Sequence, residues 1–135
     1  MFALRIPAAL TAARRDGLWQ HTCAELFVAV PHHEAYFEFN FAPSTEWSAY
    51  EFSAYRQQGV RMAEFDAPAI VCRQRADELL LHVDLAVPAL AQNERWQIGL
   101  SMVIEDAQGN MSYWALLHAG ERPDFHRRDS FVLDI

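Results

Sequence analysis

Aromatic and β-branched residues alternate with polar ones along most of the chain, and Pro, Gly, Asn, Asp and Ser interrupt the alternation at short intervals. A side-chain period of two is what strands with one buried face produce. The pattern predicts strands over 2–6, 19–30, 35–43, 46–56, 69–75, 78–87, 95–106, 111–119 and 131–135. Turn residues fall between them at 31–34, 43–46, 76–77 and 108–110. Helix is conceivable only over 8–15 and 86–96, and Pro88 argues against a long helix in the second. Many short strands with regular turns predict an all-β fold, a two-sheet antiparallel β-sandwich, in a single domain over 1–135.

Alternation also assigns faces. Phe37, Phe39 and Phe41 point one way, and Tyr36, Glu38 and Asn40 the other. Leu26, Val28 and Val30 oppose Cys23, Glu25 and Phe27 in the same manner. Leu79, Leu81, Val83 and Leu85 face inward with His82 and Asp84 outward, and Trp96, Ile98, Leu100, Met102 and Ile104 make one apolar face.

Four-residue hairpins at 31–34 and 43–46 fix a register. Glu25 then opposes Asn40, and Phe27 opposes Glu38. Across the second hairpin Asn40 opposes Ala49, Glu38 opposes Glu51 and Phe39 opposes Tyr50. A one-residue slip would turn a strand's whole face over. This register gathers Trp19, His21, Glu25, Glu38, Asn40, Trp47 and Glu51 on the non-core face as the candidate ligand site. Aromatic surface beside carboxylates and an amide suits a sugar, whose C–H face stacks on a ring while its hydroxyls meet donors and acceptors. Carboxylates with an amide also suit Ca²⁺. The competing reading is an ordinary wet sheet face.

Charge and composition narrow the classes. Among 135 residues there are 11 basic and 18 acidic ones, a formal charge of -7, which argues against a nucleic-acid partner. All the basic residues are arginines. Cys23 and Cys72 read as reduced thiols rather than a disulfide framework. No apolar run approaches the roughly 20 residues of a membrane span, and the first residues lack signal-peptide character. A cytoplasmic protein is the expectation.

Further chemistry is sparse. The loop 120–128 concentrates Asp, His and Arg, and it makes Asp124 and His126 secondary candidates alongside Arg56 and Trp114. A glycosidase pair of glutamates needs a cleft that a flat sheet face rarely supplies, so no catalytic residue is assigned. His21 near Cys23 does not make a thiol nucleophile. Haem ligation by Met62, Met102 or Met111 with a histidine is conceivable, but no specific motif supports haem or calcium.

The run from Asp16 through Trp19, His21, Cys23 and Glu25 to Phe27 resembles the opening of bacterial DOMON-like proteins, which are related to family-nine carbohydrate-binding modules. The resemblance continues through Tyr36–Ser44, Trp47–Tyr50 and Tyr55-Arg56, and resumes at Ser112–Leu116 and Pro123–His126. It implies a two-sheet sandwich and a carbohydrate or haem ligand. In the sugar-binding relatives, tryptophans and polar groups grip the ligand, and Trp19 and Glu25 match that pattern. His21 and Thr22 stand where those modules often carry acidic residues. Relatives have one or two strands before Leu4, so an open sheet edge at 2–6 is expected, and with it a homodimer. The expected function is a non-catalytic module for a carbohydrate or similar polar small molecule. The alternatives are a structural or protein-interaction domain and a haem-binding DOMON domain.

Overall fold

The structure, a computed structural model, describes residues 3–57, 60–61, 65–87 and 95–135. Met62 and most of the stretch 86–96 considered for helix lie outside them. Among the described residues nine strands follow one another: β1 (Cys23–Ala29), β2 (Tyr36–Phe41), β3 (Trp47–Phe52), β4 (Val60–Arg61), β5 (Ala69–Gln74), β6 (Leu79–Asp84), β7 (Gln97–Glu105), β8 (Met111–Ala115) and β9 (Leu133–Asp134). The large sheet runs β4-β3-β2-β1-β7-β8, with β9 also paired to β7, and β5-β6 form a small second sheet. All these pairings are antiparallel. The fold is therefore all-β and sandwich-like, as the alternation predicts. Among the described residues no helix is long and apolar enough to cross a membrane.

The two sheets meet through the face predicted to be core. Val28, Phe39, Phe41, Ala49, Phe65 and Ile98 are buried there, and Ile70, Leu81, Val83 and Leu85 pack on them from the small sheet. Phe39 is fully buried, with Phe65 edge-on to it at 5.0 Å. Burying a residue of this size is worth about 2–3 kcal/mol.

The first hairpin keeps the expected register: Glu25 pairs with Asn40, Leu26 with Phe39 and Phe27 with Glu38. The second does not. Phe41 pairs with Trp47, Asn40 with Ser48, Glu38 with Tyr50 and Phe37 with Glu51. The cause is the turn. Ala42 N–H donates to Glu46 O at 2.9 Å and Thr45 N–H to Ala42 O at 3.0 Å, so the loop between the paired ends is Pro43-Ser44-Thr45. Such a three-residue loop closes through a residue in the left-handed region, and Thr45 takes it with φ 75°. Its hydroxyl donates to Leu10 O at 2.8 Å, which helps hold a conformation that a β-branched residue resists. One residue fewer in the loop turns every β3 side chain to the other face. Trp47 is consequently a buried core residue and Glu51 is exposed on the core-side face, so neither belongs to the site predicted for it.

The N-terminal segment departs from expectation in two places. Residues 8–15 are not helical. They run extended beside β3, with Trp47 N–H donating to Ala13 O at 3.0 Å and Arg15 N–H to Trp47 O at 2.8 Å. Arg14 lies over the Trp47 ring, its guanidinium carbon 5.0 Å from the centroid. The segment at 3–5 bonds to the end of β7: Arg5 N–H donates to Glu105 O at 2.8 Å and Ala107 N–H to Ala3 O at 2.9 Å. A 3-10 turn over Leu18–Gln20, entered through Gly17 at φ 79°, takes up the start of the strand expected over 19–30.

Candidate functional site

The other face of the large sheet is concave. Strands β1, β2, β3 and β7 supply its floor with Glu25, Glu38, Tyr50, Phe52 and Val103, and Trp19, Arg56, Tyr113, Pro123, Phe125 and His126 rise around it. The cavity so enclosed is about 430 Å³. Its far wall belongs to the C-terminal loop, which several contacts hold down. The Phe131 ring stacks on Phe27 at 5.5 Å. Arg128 donates to Val30 O and to His33 O, both at 2.7 Å, and to Gln97 Oε1 at 3.0 Å. At the rim Arg56 donates to Asp124 Oδ1 at 2.7 Å and the Tyr55 hydroxyl donates to Asp124 Oδ2. Burial opposes ionisation of Asp124, but these hydrogen bonds outweigh it and hold the carboxyl below its usual range.

His126 lies inside an aromatic box. Phe27 and Phe52 each meet its ring edge-on at 5.1 Å, and Tyr36 stacks on Phe52 at 4.9 Å. Burial, with the Arg56 charge second, pushes the imidazole down to about 4, so it is neutral at physiological pH. Arg56 N–H donates to the Tyr36 hydroxyl at 3.1 Å, and that hydroxyl spends its own proton on His126 Nδ1 at 2.8 Å. Nε2 is left as the protonated nitrogen and faces Glu38 Oε2 at 3.7 Å. With the ring uncharged, this approach is a long polar contact rather than an ion pair.

The two glutamates are diagonal neighbours across the β1–β2 ladder, since Glu25 pairs with Asn40 and Glu38 with Phe27. Each is more than nine-tenths buried. Desolvation, reinforced by the Glu38 charge, pushes Glu25 up to about 8, against the hydrogen bond from Ser101 Oγ at 3.3 Å. Desolvation pushes Glu38 up to about 7. With its NH₂ turned toward acceptors, Asn40 donates to Glu38 Oε1 at 3.3 Å and to Phe39 O at 3.2 Å. At neutral pH the pair holds at least one proton between its two carboxyls. It can therefore both donate and accept hydrogen bonds in a buried, partly aromatic setting.

The residues expected to form the site are thus dispersed in part. Trp19, Glu25 and Glu38 line the cavity, and Asn40 lies beneath it as the support of Glu38. His21 is drawn off to Glu105, with Nδ1 to Oε2 at 2.7 Å, while Arg5 holds the other oxygen at 2.8 Å. Of the loop candidates, Arg56, Asp124 and His126 meet at the rim and wall. Trp114 does not: it pairs with Met102 across β7–β8, on the opposite face, and is 61 % exposed. Sequence reasoning missed Tyr50, Phe52, Tyr113 and Phe125. The first two follow once β3 is turned over, and Phe125 carried the signal of an aromatic inside a charged loop. Cys23 is buried and Cys72 half-buried, and both are free thiols. Burial pushes the Cys23 thiol far up, with the Glu25 charge adding to it, which leaves it unreactive. Among the described residues no cluster of three or more His, Cys, Asp or Glu is arranged to hold a metal ion.

The chain matches no family model, no curated protein and no solved structure.

Proposed function

We propose that this domain binds a small, hydroxyl-rich ring compound of the carbohydrate class in the concave pocket and does not transform it. One observation carries the reading: two desolvated carboxyls, able to donate as well as accept, form part of the floor of a cavity whose walls are aromatic. A sugar offers an apolar C–H face for Trp19 or Tyr113 and hydroxyls for Glu25 and Glu38. The volume falls in the range of pockets for small ligands, about 300–1,000 Å³. The resemblance of Asp16–Phe27 to DOMON-like proteins supports the same class, since sugar-binding relatives grip ligands with tryptophans and polar groups.

The test is titration of the protein with a panel of monosaccharides and disaccharides, read by calorimetry. Saturable binding that Trp19→Ala and Glu38→Gln each weaken about tenfold or more, with folding intact, supports the proposal. Absence of binding across the panel sinks it.

A second reading, a protein-interaction domain, is favoured by strand β8. It is an edge strand, and Trp114, Leu116 and Leu117 on and just after it are all exposed. Sedimentation and cross-linking of wild type against Trp114→Ser would reveal such a contact.

A further inference from the structure

Among the described residues no cation bonds to the pocket's carboxyls, although the Arg56 charge acts on both from the rim. Glu25 receives only the Ser101 hydroxyl on Oε2, and no donor among the described residues reaches its Oε1. Glu38 is supported by the Asn40 amide and approached by a neutral imidazole at 3.7 Å. Arg56, the cation at the rim, is committed to Asp124 at 2.7 Å. Carboxyls this buried are normally paired with a cation or a metal. Here they open instead into a cavity with Tyr50 on its floor and Trp19, Tyr113 and Phe125 in its walls, and aromatic faces attract cations.

We infer that the ligand carries a protonated amine, seated against Glu25 and Glu38 with its ring on the aromatic wall, as in an amino sugar or a cyclic amino alcohol. The inference rests on the proposed binding role of the pocket and sharpens it. The ammonium supplies donors that Glu25 lacks, and its charge compensates carboxylates that burial otherwise keeps protonated. A neutral polyol supplies only the first. Binding therefore displaces protons from the pair: the ligand's N–H bonds replace the carboxyl O–H, and the released proton goes to buffer.

Other ionisable groups around the pair do not confuse its titration near neutrality. His126 is already neutral, Asp124 already ionised, and Tyr36 and Tyr50 are pushed up by burial and remain protonated. Arg56 stays cationic, since its bonds to Asp124 and Tyr55 outweigh its burial.

The probes are trans-2-aminocyclohexanol and trans-cyclohexane-1,2-diol, which differ by one amino group, with glucosamine and glucose compared at pH 7, since the amine of glucosamine loses its proton just above neutrality. Calorimetry on the unaltered chain at pH 8 is expected to show the amino alcohol binding about tenfold or more tighter than the diol, the factor a charge-assisted hydrogen bond adds. Its affinity should rise from pH 6 to pH 8, as Glu38 and Glu25 lose protons at about 7 and about 8, while the diol's does not. Repeating the pH 7 titration in buffers of different ionisation enthalpy should reveal proton release, a readout that needs no variant to fold. Glu25→Gln and Glu38→Gln should each shrink the preference for the amine. Equal binding of amine and diol without proton release overturns the inference and leaves carbohydrate binding standing. No binding by any of the four compounds, nor by the wider sugar panel, overturns both.

Discussion

The Phe131 ring lies directly on Gly99: a Cβ built at Gly99 would stand 2.8 Å from Phe131 Cδ1 and 3.4 Å from Phe27 Cβ. Gly99 pairs with Phe27 across β1–β7, so this bare stretch of backbone is the socket that admits the C-terminal ring. Gly99→Ala is expected to cost about 1–3 kcal/mol, as overpacking does, and to weaken ligand binding by unseating the wall. Urea unfolding followed on Phe131→Leu and Gly99→Ala should show the two changes to be strongly non-additive.

Trp47 and Glu51 separate stability from surface chemistry. Trp47→Ala removes a buried ring and should cost about 3–5 kcal/mol. Glu51→Ala, on an exposed side chain, should stay within about 0.5 kcal/mol. Neither should alter ligand affinity once the folded fraction is matched. Paired thermal melts and titrations check both statements.

Stability should fall with rising pH on the alkaline side of neutrality. Glu25 and Glu38 bind protons more tightly when folded, with values of about 8 and about 7 against 4.5 for the free side chain. The folded state thus holds extra protons across that interval, so their contribution is full below 4.5 and lost as pH climbs through the folded values. His126 works in the opposite sense. Its folded value of about 4 lies under its ordinary 6.5, so stability gains with pH over that window. The two effects partly offset up to pH 6.5, and the decline is steepest from there to about 8. Glu25→Gln should flatten it, raising the melting temperature by several degrees at pH 8.5 while leaving pH 5 nearly unchanged. An unaltered slope in that variant would show that the carboxyl is solvated.

The rim latch gives a dynamic prediction. Arg56→Ala removes the bond to Asp124 and should expose the 121–127 loop to limited proteolysis several-fold faster, with little change in the core's melting temperature. Tyr36→Phe should cost about 1–2 kcal/mol, because it strips Arg56 N–H and His126 Nδ1 of their shared partner. In that variant the ¹⁵N shifts of His126 should report mixed tautomers instead of one.

The fold class was legible because alternation alone decides which face of a strand is apolar. Phe37, Phe39 and Phe41 could only be core, and the β1–β2 register followed from a turn of ordinary length. The β3 face was not legible. It depends on one backbone angle at Thr45, and threonine is among the residues least expected to adopt a positive φ; a Gly or Asn there would have signalled the shorter loop. The segment 8–15 reads locally as a short helix, yet its N–H and C=O groups find partners on β3, a tertiary effect that no local pattern encodes. The meeting of Arg56, Asp124 and His126 was visible only as three charged or polar loop positions. Their shared partners, Tyr36 and Tyr55, come from distant parts of the chain, and no local pattern links them.

Tyr36 and His126, hydrogen-bonded in the folded protein, are 90 positions apart along the chain. Much of the pocket's floor therefore leaves the ribosome ahead of its far wall, and the recess around Glu25 and Glu38 has no far side until residues 123–131 have emerged and Phe131 has found Gly99. A nascent chain can assemble the β1–β2–β3 meander with that face still open, so the walled recess exists only once residues 123–131 are in place.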